Sequence, residues 1–152
     1  MAGTTTIVPA ASSVGVARSM RSNRRRDTGP ERRLRPALHG RGWRFRVDLA
    51  IPVEDGRPRP DIAFTRRRVA VFVDGCFWHS CPDHGRSPLS NATYWGPKLA
   101  RNVERDRLDT DRLRAAGWHV VRLWEHVPLQ DAVASVEREL ALADPPAVSR
   151  AR

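Results

Sequence analysis

Five consecutive apolar residues, Val69–Val73, are the feature that most restricts how this chain can fold. The run is apolar at every position and β-branched at Val69, Val71 and Val73, so it lacks the alternation of a strand with one wet face. It reads as a central strand covered on both sides. Covering both faces requires helices, and the flanking pattern supplies them. A helix is predicted to start near Gly29–Pro30, where proline suits the first turn and Glu31 suits the positive end of the helix. Leu34 and Leu38 fall on its inner face, with Pro36 an awkward member. Asn91 to Ala116 reads as a long charged helix with Leu99, Val103 and Leu113 inward and Gly117 as its stop. Leu129–Leu142 reads as a closing amphipathic helix.

The other predicted strands are Trp43–Val47, Asp61–Phe64 after a Pro/Gly turn region at Pro52–Pro60, and Trp118–Trp124, with Trp118 and Trp124 assigned to the core. Helix, strands, helix, strand, helix indicates an α/β domain of two or three layers around a mixed sheet. A chain of 152 residues, 40 % apolar, suits one such domain at 18–143. Residues 1–17 and 144–152 read as disordered tails. No apolar run nears the roughly 18 residues of a membrane helix, and the N-terminal order of charge and apolarity is wrong for a secretory signal. A cytoplasmic, non-membrane protein is the expectation.

The net charge is +10, and Lys98 is the single lysine. A GC-rich genome accounts for much of the arginine bias, whereas the excess of positive charge points to a polyanionic partner. Charge alone does not separate DNA from RNA.

Two carboxylates flank the strand pair. Asp61 opens one strand and Asp74 closes the next, and a turn at Thr65–Arg68 would bring Asp61 to the Val73–Asp74 end. One carboxylate and a backbone carbonyl can hold Mg²⁺ when phosphate is present, though two residues are a weak signal and an Asp capping a strand at a turn is the plainer reading. His79, in the following loop, is a candidate general base.

That loop, Gly75–Pro88, has no period and needs some other clamp. Cys76, Cys81 and His84, with His126 beyond the last strand, form an acceptable tetrahedral zinc set. Four protein ligands would leave no open position, so the site reads as structural. His79 and His119 compete for these roles, and two buried thiols with two surface histidines is the plainer alternative. Phe77 and Trp78 on the loop, and Tyr94–Trp95 opening the long helix, could insert between bases or simply belong to a core.

Taken together, Val71 to His79 (VFVDGCFWH), Cys81 to His84, Tyr94–Trp95, Lys98, Asn102 to Asp106, and Gly117–Trp118 to His126 resemble the very-short-patch repair (Vsr) endonucleases. Met20, Asp27–Thr28 with Glu31, and Arg59–Asp61 fit the same order, so the resemblance spans roughly Arg18 to His126. It implies a restriction-endonuclease-like mixed sheet flanked by helices with a structural zinc site. It implies nicking of double-stranded DNA 5′ to the thymine of a T·G mispair left by 5-methylcytosine deamination, by Mg²⁺-dependent hydrolysis. Carried across, Asp61 and the Val73 carbonyl are Mg²⁺ ligands, His79 the catalytic histidine and Glu31 its supporting acid. Cys76, Cys81, His84 and His126 fall at or beside the zinc positions. Phe77, Trp78 and Trp95 match intercalating aromatics, Met20 a minor-groove residue, and Lys98 and Asn102 base-reading residues.

The sequence departs from that pattern in three ways. Asp74 stands where some relatives have a second active-site histidine, and is a candidate for a further catalytic or metal oxygen. The Cys81/His84 register involves an extra residue. No lysine follows Asp61 on its strand. A monomer acting on mismatched duplex, nucleoid-associated when bound and open to mismatch-repair partners, is the leading expectation. A restriction-like enzyme cutting both strands and a zinc-stabilised DNA-binding module without catalysis are the alternatives.

Overall fold

The structure, a computed structural model, describes residues 28–75, 81–83 and 92–143. Their order is α1 (Gly29–Gly40), β1 (Arg46–Val47), β2 (Ile62–Phe64), β3 (Val69–Asp74), α2 (Ala92–Ala115), β4 (His119–Trp124) and α3 (Leu129–Leu142). The tails 1–17 and 144–152 lie outside the described residues, as do Met20, Cys76, Phe77, Trp78, His79 and His84.

The sheet runs β1-β2-β3-β4. β2 pairs antiparallel with both β1 and β3, and β4 joins β3 in parallel, so the sheet is mixed. β3 is enclosed by two partners and two faces, as its apolar run requires. On one face Ile62, Phe64, Val69, Val71, Val121 and Leu123 meet Leu34 and Leu38 of α1 and Val133, Val136 and Leu140 of α3. On the other, Ala63, Ala70 and Phe72 meet Leu113 of α2 and Ile51. Three layers result. The small Ala63 and Ala70 side chains on the second face leave room for α2 to approach the sheet.

Both long-range turns out of helices use glycine where it is required. Gly117 has φ +84° and Gly42 has φ +92°. Trp118 N–H reaches Leu113 O at 2.9 Å and Gly117 N–H reaches Arg114 O at 3.0 Å, which satisfies the last carbonyls of α2. The chain is thereby turned straight into β4.

Four expectations need correction. β1 covers only Arg46–Val47, because Trp43 and Phe45 pack edge-on against Phe64 outside the ladder. Asp61 precedes β2 rather than belonging to it. Val103 is 43 % exposed, although Leu99 and Leu113 on the same helix are buried as expected. Trp118 is half-buried against the second cluster, and Trp124 is half-buried beside Asp74 and Arg122 rather than in either core.

Candidate active site

The site grows from where the β2–β3 ladder stops. Ile62 pairs with Val71, so Pro60 stands opposite Val73. Asp74 O accepts Glu125 N–H on the β4 side, which turns the polar groups of Val73 toward β2. A residue at position 60 would ordinarily return an N–H to the Val73 carbonyl, and proline has none. The ladder therefore offers that carbonyl no donor. On the same edge Val73 N–H donates to Asp61 Oδ2 at 2.7 Å. One proline thus ends the pairing, aims the following aspartate across the gap, and leaves a backbone oxygen beside it.

Burial dominates the electrostatics of Asp61 and pushes its pKa up to about 7. The Val73 N–H opposes that rise, the charges of Glu31 and Asp74 add to it, and Arg35 lowers it. Glu31, only 1 % exposed, is held in α1 by Thr28 Oγ1 at 2.9 Å and Arg35 Nη2 at 2.8 Å. A buried carboxylate needs such partners. Arg35 lies one helical turn beyond Glu31, a spacing visible in the sequence but passed over there.

Asp74 is placed differently from Asp61. It is buried, and both its oxygens accept from Arg122 Nη1 at 3.0 Å. Side chains alternate along β3, so Asp74 lies with Phe72 on the α2 face. Arg122 was missed from sequence, although an arginine inside an otherwise apolar strand is itself a signal that a buried partner exists.

A second cluster lies beyond the ends of β3 and β4. Cys81, Asp83 and His126 have ligand atoms within 4.8 Å of one another, with Cys81 buried and Cys81 Sγ 3.8 Å from His126 Nδ1. Zinc–sulfur and zinc–nitrogen bonds of about 2.3 and 2.0 Å at a tetrahedral angle separate sulfur and nitrogen by about 3.5 Å, so this pair fits a shared ion. Asp83 was not among the predicted ligands; its position two residues after Cys81 was the available clue. His119 does not belong to this group: it sits at the opposite end of β4, with Nδ1 3.2 Å from Glu139 Oε2. The donors near Asp61 are oxygens and suit a hard divalent cation, whereas the sulfur, nitrogen and oxygen donors here suit zinc.

Lys98 and Asn102 are half-buried and one turn apart on α2, on a common face. Trp95 lies in the first turn of the same helix.

A buried carboxylate and a backbone carbonyl at the end of the β2–β3 ladder, on a chain of net charge +10, are oxygen donors of the kind a hard divalent cation takes. Residues 15–83 match the profile of the family described as DNA mismatch endonuclease Vsr. The type II nicking enzyme V.NaeI of Lentzea aerocolonigenes is 57 % identical over 129 residues, covering 84 % of this chain and 78 % of the relative. The type II nicking enzyme V.XorIIP of Xanthomonas oryzae is 38 % identical, covering 83 % and 90 %. DNA mismatch endonuclease Vsr of Escherichia coli is 39 % identical, covering 71 % and 67 %. This chain belongs to the Vsr endonuclease family and is an enzyme that cleaves DNA.

Proposed function

We propose that the protein nicks one strand of duplex DNA 5′ to the thymine of a T·G mispair arising from 5-methylcytosine deamination, by magnesium-dependent phosphodiester hydrolysis. The observation that carries this reading is the edge itself. Asp61 is seated on Val73 N–H at 2.7 Å, beside a Val73 carbonyl left without a ladder donor by Pro60. Asp61 and that carbonyl are the residues that would hold Mg²⁺. When bound, the ion supplies Lewis-acid stabilisation of the charge that develops on the phosphate.

The chain's own groups do the rest. Glu31, anchored by Thr28 and Arg35, is the supporting acidic residue. His79, five residues beyond Asp74, takes the proton from the attacking water as general base. Cys81 and His126, with Cys76 and His84 as further ligands and Asp83 as a rival to His84, would hold zinc and clamp the loop that carries His79. Lys98 and Asn102 read base edges from α2, while Phe77, Trp78 and Trp95 enter the stack from one groove and Met20 from the other. The fold is then a restriction-endonuclease-like sheet, acting as a monomer on mismatched duplex in the cytoplasm, at the nucleoid, with mismatch-repair proteins as partners.

Asp61→Ala separates binding from chemistry. The variant should bind a T·G duplex within about twofold of wild type, while nicking falls by about a thousandfold or more. Nicking at the wild-type rate would remove Asp61 from the mechanism.

A further inference from the structure

Arg122 is the most heavily engaged side chain near the site, and the chemistry described so far gives it no task. Its Nη1 donates to both oxygens of Asp74 at 3.0 Å, at the residue after Val73. Its Nε donates to Thr110 Oγ1 at 2.9 Å and its Nη2 to Asp106 O at 3.0 Å, both on α2. Thr110 Oγ1 in turn donates to Asp106 O at 2.8 Å. The guanidinium lies over the Phe72 ring, 4.2 Å from its centroid. One rigid planar fork on β4 therefore ties the end of β3 to the middle of α2. Asp106 is one turn beyond Asn102 on that helix, and Asp74 is covalently next to the carbonyl beside Asp61.

We infer that Arg122 is a positioning residue for strand cleavage, a strut that holds α2 in register with the Asp61–Val73 edge through Asp74, and that Asp74 is not a metal ligand. The inference rests on the nicking function proposed above. Its physical basis is the mismatch between what an isolated surface arginine gains and what this one has been given. An exposed ion pair would leave the fork free to turn; here donors in three directions and a ring beneath fix the plane. Asp74, with both oxygens accepting from Arg122 Nη1 and its side chain on the α2 face, is directed away from the ladder end used by Asp61. A displacement of about 1 Å between the DNA-gripping helix and the reacting edge would lower turnover by roughly a hundredfold with no contact to substrate lost.

The test is a double-mutant cycle on Arg122→Met and Asp74→Asn, read by single-turnover nicking of a T·G duplex, duplex affinity without divalent metal, and Mn²⁺ affinity by calorimetry. Each single variant should lower the nicking rate by roughly 10–100-fold. Duplex affinity and Mn²⁺ affinity should stay within about threefold, and the double variant should be no slower than the slower single one. Thr110→Val, which removes the Nε acceptor together with the hydroxyl's own bond to Asp106 O and leaves the Asp74 pair in place, should show the same pattern at smaller amplitude and serves if Arg122→Met does not fold. Wild-type nicking rates in both Arg122→Met and Thr110→Val, or rate losses that multiply in the double variant, would overturn the strut. A tenfold or greater loss of Mn²⁺ affinity in Asp74→Asn would make Asp74 a ligand and overturn it as well. Failure of the wild-type protein to nick the T·G duplex would instead count against the proposed function.

Discussion

Pro60 shapes the site by what it cannot do. Without an N–H it leaves the Val73 carbonyl available, and Pro60→Ala would supply the missing donor and extend the ladder. The expected outcome is a folded protein of equal or greater stability whose nicking rate falls by roughly tenfold; unchanged nicking would show that the carbonyl is not used. Asp61 carries a pH signature. Its pKa in the folded protein is raised to about 7 by burial, above the 3.8 of a free carboxyl. Between those values the folded form holds a proton that the unfolded chain has lost, so stability from this group is complete below about pH 4 and declines as pH rises through 7. Asp61→Asn should thus stabilise the magnesium-free protein by on the order of 2 kcal/mol at pH 8, and by nothing at pH 4. Urea unfolding at the two pH values measures this, and a gain independent of pH would contradict the assigned cause. Much of this edge was legible in the sequence, because Pro60–Asp61 and the Val69–Val73 run fix where the pairing stops. Arg122 was less so: its need for a partner could be read, but not that the partner is Asp74 on the neighbouring strand.

Among the elements, α1, α3 and β3 were readable because periodicity and burial agree along them. β1 was not, since aromatic residues such as Trp43 and Phe45 have high strand propensity whether they join a ladder or only pack beside one. Val103 misled because it follows Leu99 by one turn and so reads as part of the same stripe, yet it is exposed while Leu99 and Leu113 are buried. The turn from α2 into β4 depends on Gly117, whose φ of +84° is unfavourable for any residue with a Cβ. An added Cβ would also lie 3.3 Å from Arg68 Nη1. Gly117→Ala should lower stability by about 1–2 kcal/mol in chemical denaturation. Because the same turn sets the register of Arg122 against α2, it should also slow nicking; a stability loss with no kinetic change would confine Gly117 to a folding role.

Across the whole molecule, charge and metal act at different ranges. A chain of net charge +10 engages DNA through phosphates, so duplex affinity should fall steeply and linearly with salt on logarithmic axes, for matched and mismatched duplexes alike. Discrimination between duplexes must come instead from short-range contacts. The Cys81–Asp83–His126 cluster makes a separate claim: a tight chelator that removes zinc should lower the melting temperature even with magnesium in excess, and an unchanged melting curve would count against a structural ion there. Composition pointed to the anionic partner, whereas the place of Asp83 beside Cys81 and His126 was hidden because His84 gave a more familiar zinc spacing. The decisive measurement is strand-resolved cleavage of three duplexes differing at one pair, T·G, T·A and C·G, each with and without Mg²⁺. A single nick 5′ to the mispaired thymine, in the T·G duplex and only with Mg²⁺, is the expected result. Equal cleavage of all three duplexes, breaks in both strands, or nicking that persists without divalent metal would contradict it.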